Sequence, residues 1–68
     1  MKQVSGKALI QIASRLGCTL ERVKGSHHIM SKDGEEDILV IPVHANRPLK
    51  TGTLRALMKT AGITEADL

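Results

Sequence analysis

Val23-Lys24-Gly25-Ser26-His27-His28-Ile29-Met30 is the stretch around which the rest of the chain is arranged. Two of the three histidines stand side by side in it, directly after a Gly-Ser pair. Glycine takes positive φ at no steric cost, so the chain can reverse sharply at Gly25. Apolar Ile29 and Met30 follow, which predicts a tight turn feeding a β-strand that begins with the imidazoles. Successive side chains of a strand point to opposite faces. Only one histidine therefore lies on any given face, and an imidazole at work on the exposed face leaves the other as structural. By itself a His-His pair is ordinary, either solvated or a core histidine beside an exposed one. Its neighbours in the chain decide how it is read.

On the N-terminal side, Cys18 to Lys24 reads as a first strand. Its alternation puts Leu20, Arg22 and Lys24 on one face and Thr19, Glu21 and Val23 on the other. His27 to Lys32 is the second strand. Asp33-Gly34 is a hairpin signal, followed by a solvated acidic tip, Glu35-Glu36-Asp37. The continuous apolar run Ile38-Leu39-Val40-Ile41 makes the third strand. Pro42 has no N–H to give to a ladder and marks that strand's end or a sheet edge.

Helices flank the strands. Ser5 is a good N-cap, and Ala8, Leu9, Ile12, Ala13 and Leu16 recur at helical spacing. Arg15 in the last turn suits the helix dipole and Gly17 closes the element, so a helix is predicted over residues 5–16. Val43 to Leu49 follows neither period and reads as a loop. A second helix then starts with Thr51 or Thr53 as cap. Its stripe is Leu54, Leu57, Met58 and Ala61, with Arg55 and Lys59 off the stripe and Gly62 as its end. Thr64 to Leu68 has the signature of a further helix start. The order α-β-β-β-α predicts an α+β two-layer sandwich, two helices on one face of three antiparallel strands. Double-stranded RNA-binding domains share that order.

With 68 residues the chain is expected to form one small domain. The single Cys18 cannot form an internal disulfide, which fits a reducing compartment and a role as a small apolar filler. No basic-then-apolar leader and no apolar run of membrane-spanning length is present, so a cytoplasmic protein without a membrane partner is expected. The absence of Phe, Trp and Tyr removes the main tool of modules that stack single-stranded bases on aromatic rings. The net charge is +3 and unevenly spread. Acids concentrate at residues 33–37 and 65–67, and residues 38–64 hold none. Cations run through both helices and their flanks: Lys2, Lys7, Arg15, Arg47, Lys50, Arg55 and Lys59. That balance suits a polyanion, nucleic acid before membrane, as well as an ordinary solvated surface.

Several pieces together carry a resemblance. They are an opening helix after Ser5-Gly6-Lys7 that ends at Gly17, then Val23-Lys24-Gly25-Ser26-His27-His28. Ile41-Pro42-Val43-His44, Leu49-Lys50-Thr51-Gly52-Thr53-Leu54-Arg55 and Ala61-Gly62-Ile63 follow in order. With these pieces at these spacings the chain resembles the HicA family, small ribonuclease toxins of prokaryotic toxin–antitoxin pairs. The resemblance covers nearly the whole of residues 1–68, as one HicA-like toxin domain. It implies a double-stranded RNA-binding-like fold, cleavage of mRNA in the cytoplasm, and neutralisation by a HicB-type antitoxin in a type II pair. The family's catalytic histidine ends the Gly-Ser-x-His motif, which falls on His28. His27 is not implied, because the family allows other residues there.

RNA carries its own nucleophile, the 2′-OH. A ribonuclease must take that proton, stabilise the phosphorane and help the 5′-oxygen leave. Histidine as a residue type ionises near pH ~6.5, so it suits either proton transfer. His28 is expected as general base, or as acid if the roles are reversed. Lys7, Lys24, Lys50 and Arg55 are expected to bind RNA, Lys24 steadying the phosphate. Ser26 reads as a turn residue. His44 is either the second acid–base group or a residue that shapes its loop. No cofactor is expected. His27, His28, His44 and Cys18 match no zinc spacing, and adjacent strand histidines face opposite ways, so no metal site is expected. The rival readings are a module that binds double-stranded RNA by shape without cutting it, and a protein-interaction domain that pairs through a sheet edge.

Overall fold

Ser5 starts the first helix in the way its chemistry predicts. Its Oγ accepts the Ala8 N–H at 3.1 Å, satisfying one of the donors a helix start leaves free. The helix, α1, runs Gly6–Arg15 and buries Gly6, Leu9, Ile12 and Ala13. Leu16, expected on the apolar stripe, lies just past the last turn and is exposed. Gly17 follows with φ 99, the left-handed conformation that ends a helix most easily in glycine. The computed structural model describes residues 2–32, 36 and 38–68. The Asp33-Gly34 hairpin signal, with Glu35 and Asp37 of the acidic tip, lies outside the described residues, while Glu36 is exposed.

Three strands follow: β1 Cys18–Lys24, β2 His27–Lys32 and β3 Ile38–Pro42. They form one antiparallel sheet in the order β1-β2-β3. Pro42 is the last residue of β3, as its missing N–H predicts. The second helix, α2, spans Thr51–Ala61 and ends at Gly62 in the left-handed region (φ 70).

Its start differs from the sequence expectation. Neither Thr51 nor Thr53 caps it; both lie inside the helix, and the cap residue is Lys50, with no side-chain cap bond. The cause is tertiary. Leu49 N–H donates to the Val4 carbonyl at 2.8 Å, and Ser5 bridges Pro48. This pairing holds the chain extended up to Lys50 (φ −60, ψ 142), so the helix begins immediately after it. The expected last helix is a single 3-10 turn, Glu65–Asp67. Thr64 begins it by donating its N–H to Asp67 Oδ2 at 2.8 Å and its hydroxyl to the same oxygen at 3.1 Å.

Side chains from both helices meet one face of the sheet. Leu9, Ile12, Ala13, Leu54 and Met58 pack against Cys18, Met30, Leu39 and Ile41, with Val4 and Ile63 completing the buried cluster. This is the expected α-β-β-β-α two-layer sandwich, consistent with the double-stranded RNA-binding-domain arrangement. Cys18 is a free, buried thiol within that core, the apolar filler anticipated.

One feature of β1 overturns the simple alternation. The pairing register shifts between Leu20 and Arg22: Leu20 pairs with Met30 and Arg22 with Ile29, leaving Glu21 as an extra residue. A β-bulge of this kind reverses which face later residues occupy. Cross-strand partners share a face. Leu20 therefore joins the helix-facing side with Met30, while Arg22 and Lys24 lie on the open side with Ile29 and His27. Val23 moves to the helix side, opposite His28. Glu21 accepts a hydrogen bond from the Ser31 hydroxyl, which anchors the bulge.

Candidate active site

The turn before the histidines is two residues long. Lys24 pairs with His27, and Gly25-Ser26 connects them. Gly25 has φ 59 and Ser26 is not in the positive region, an arrangement of short hairpin turns that takes glycine first. A Cβ on Gly25 would meet nothing within 4 Å, so its backbone conformation rather than crowding calls for glycine. The Ser26 carbonyl accepts the Val43 N–H at 2.8 Å, which ties the turn to the chain leaving β3.

Register separates the two histidines. His28 stands between Val23 and Ile41 on the helix-facing side, and is half-buried at the end of the core. His27 stands between Lys24 and Pro42 on the open side, exposed to solvent. The histidine singled out by the motif is thus on the packed side of the sheet, and the open face carries the other one. His28 Nδ1 is buried without a hydrogen-bond partner among the described residues. No protein hydrogen bond at that atom pins the ring.

The cations expected to hold RNA are partly gathered. Gly6 packs directly on the Pro42 carbonyl, so α1 begins against the end of β3. The Val4–Leu49 and Ser5–Pro48 pairings bring the start of α2 alongside. One end of the sandwich therefore collects Lys7 near the start of α1, Lys24 at the end of β1 and Lys50 at the start of α2, beside the histidine turn. All of these lysines are exposed. Neither helix carries an acid in its first turn. The positive end of a helix dipole favours anions, so lysines there work against the helices by a few tenths of a kcal/mol each, ~0.3–1 at most. They make this end of the molecule positive. Arg55 is not gathered with them. It lies further along α2 and lines a groove with Met58, Lys59, Ile63, Thr64 and Glu65.

His44 is exposed in the loop after β3. It lines a cleft of about 270 Å³ with Pro42, Arg47, Leu49, Lys50 and Thr53. Sequence reasoning placed Arg47 only among the scattered cations and did not foresee this cleft. The available signal was the regular spacing of His44, Arg47 and Lys50 in an acid-free stretch. Cys18 pairs with Lys32 at the opposite end of β1 from the histidine turn, so the thiol and the imidazoles do not meet. Among the described residues no three His, Cys, Asp or Glu side chains are grouped to hold a metal ion. Among them, too, no helix is long and apolar enough to cross a membrane.

This fold and this motif-bearing turn are matched by a family model described as the HicA toxin of bacterial toxin–antitoxin systems, over residues 6–63. The chain belongs to the HicA toxin family. The match begins with the first residue of α1 and ends at Ile63, the last residue of the buried cluster, so it spans the whole sandwich. A search of curated proteins returned no match. As a HicA toxin the chain is one half of a toxin–antitoxin pair, and the gathered lysines and half-buried His28 are the features of its surface to be explained.

Proposed function

We propose that this HicA toxin is a metal-independent endoribonuclease that cleaves mRNA in the cytoplasm, uses His28 for proton transfer, and is silenced by a HicB-type antitoxin. The observation that carries the reading is the position of His28. It is half-buried at the start of β2, at the end of the sandwich that also holds Lys7 and Lys50 on the helix side and Lys24 on the open side of the sheet. In the reaction the RNA 2′-oxygen attacks phosphorus as its proton passes to a base. The bond to the 5′-oxygen breaks, and that oxygen leaves with a proton from an acid. His28 serves as the base, or as the acid in the reversed assignment. The lysines offset the charge that builds on the phosphorane. Nδ1 is the buried nitrogen of the ring, so a working hydrogen bond to RNA falls to Nε2.

The test is cleavage of mRNA by purified toxin and by His28→Ala, with circular dichroism to show that both are folded. A general acid–base group contributes roughly 10²–10⁴-fold, and a loss of that size is expected. His27→Ala, on the open face, keeps its activity. A folded His28→Ala toxin that cuts at the wild-type rate removes the assignment.

Protein interaction is supported by a separate observation. The open face of the sheet is uncovered by either helix, and Ile38 and Val40 on it are 55% and 40% exposed. Among the described residues β1 and β3 are the edge strands of the sheet. These surfaces suit an antitoxin, so docking and catalysis occupy one molecule without conflict. An antitoxin seated on the open face would cover His27, Arg22 and Lys24, with His28 and the helices on the other side of the sheet, and would meet the RNA site through Lys24 and the histidine turn. The reading in which RNA is bound by shape and never cut requires no histidine at the turn.

A further inference from the structure

The loop between β3 and α2 contains a strained turn. Ala45 has φ 53, and among the described residues it is the one non-glycine with positive φ. Arg47 N–H donates to the His44 carbonyl at 3.1 Å and closes the turn around Ala45 and Asn46. Strain of this kind persists only where the surrounding structure imposes it, and it concentrates at binding and catalytic sites. His44 and Arg47, on either side of this turn, line one cleft together with Lys50 and Thr53 of the α2 start and apolar Pro42 and Leu49.

The chemistry of that cleft is specific. The chain has no Phe, Trp or Tyr. The flat groups left for stacking on a base are imidazole rings and arginine planes, both of which proteins use for unstacked RNA bases. His44 and Arg47 place one of each in the same cleft. Apolar Pro42 and Leu49 suit the faces of a base or ribose, the Thr53 hydroxyl is a donor and acceptor, and Lys50 is a cation for phosphate. No acid lies anywhere in residues 38–64 to repel an anion.

We infer that this cleft is a nucleotide subsite: it holds one unpaired nucleotide of the RNA, its base stacked on His44 and Arg47 and its phosphate on Lys50. The inference rests on the proposed ribonuclease reading for its biological use. Its location fits that use. Pro42 pairs with His27, and Ile41, one residue back, pairs with His28. Strand neighbours are ~4.8 Å apart and successive residues ~3.3 Å, so the backbone at the cleft's Pro42 lies roughly 6 Å from that of His28, at the same end of the sheet. His44 is then a positioning group for the base rather than the second proton-transfer group.

The experiment titrates nucleoside 5′-monophosphates, with inorganic phosphate as comparison, into the ¹⁵N-labelled toxin. It then measures cleavage kinetics for Arg47→Gln, Lys50→Gln and a control, Lys32→Gln, at the far end of β2. The expected result is that the amides of Ala45, Arg47, Leu49 and Thr53 shift with nucleotides, and that phosphate alone shifts fewer of them. Arg47→Gln raises the nucleotide Kd and the RNA KM roughly tenfold, the scale of one charge-assisted contact, with kcat kept. Lys50→Gln raises the nucleotide Kd by a similar factor and lowers kcat as well, because Lys50 also offsets phosphorane charge. Shifts centred elsewhere, or an Arg47→Gln toxin no weaker than the Lys32→Gln control, overturn the subsite. Failure of the ribonuclease reading is distinguishable, because the titration needs no cleavage. A wild-type toxin that never cuts RNA but shifts at these amides loses the activity and keeps the subsite. One that loses cutting on His28→Ala while ignoring Arg47→Gln keeps the activity and loses the subsite.

Discussion

Gly6 lies so close to Pro42 that a side-chain carbon on it would overlap the Pro42 carbonyl oxygen. This contact seats the start of α1 on the end of β3, beside the histidine turn.

Gly6→Ala is therefore expected to destabilise the toxin by about 1–3 kcal/mol, the usual cost of overpacking. Alanine's better helix propensity, ~1 kcal/mol, does not rescue it, because the obstacle is backbone and cannot rotate away. Gly52, also at a helix start, meets nothing within 4 Å. Gly52→Ala is expected to stabilise by about 0.4–1 kcal/mol by restricting the unfolded chain. Urea unfolding of both variants, compared at equal m-value, checks the opposite signs.

The buried, unpartnered Nδ1 of His28 sets its neutral form. A proton on that atom would be a donor without an acceptor, at about 1–3 kcal/mol. The neutral ring is expected to carry its proton on Nε2 in the free toxin, so a base role through the accessible Nε2 requires the tautomer to change when RNA binds. ¹⁵N spectra of the imidazole nitrogens report this directly, and a protonated Nδ1 in the neutral ring would contradict it.

Cleavage is expected to survive excess EDTA. The histidines point to opposite faces and Cys18 lies at the far end of β1, so the ligating side chains do not converge. Activity lost in EDTA and restored by Zn²⁺ or Mn²⁺ would replace the acid–base mechanism with a metal-assisted one.

RNA binding is expected to be mainly electrostatic and to fall with salt. Each neutralised phosphate of a single strand contributes a slope of about −0.7 in log K against log salt. Three to five contacts give roughly −2 to −3.5 by that rule. Double-stranded RNA is expected to bind in the same salt-dependent way, through shape and 2′-OH contacts. Titrating the His28→Ala toxin, expected not to cleave, at several salt concentrations measures the slope. Adding antitoxin is expected to displace the RNA. A flat response, or a stable ternary complex, would shift the weight to the protein-interaction role.

Much of this molecule is decided within short windows of sequence. Ser5, through its hydroxyl, and Gly17, Gly25, Pro42 and Gly62, through their backbone, each act locally, so both helices, all three strands and the turn before the histidines could be read directly. The apolar stripe Leu9-Ile12-Ala13 likewise announces its burial by period alone, whereas the continuous run Ile38 to Ile41 announces a strand but not its buried face: Leu39 and Ile41 are buried, Ile38 and Val40 exposed. His28 was singled out by its place at the end of a motif, and its role in proton transfer is a proposal. What tertiary structure decided depends on partners distant in the chain. The bulge at Glu21 exists because β1 must match β2, and it sends Leu20 to one face and Arg22 to the other against the simple alternation. The start of α2 is set by Val4 and Ser5, more than forty residues away, which hold the chain extended until Lys50. That long-range pairing, with the Gly6–Pro42 contact, draws Lys7 and Lys50 to the histidine end and leaves Arg55 out. Local propensity reaches only a few residues along the chain, and a site assembled from four segments is fixed by packing between them.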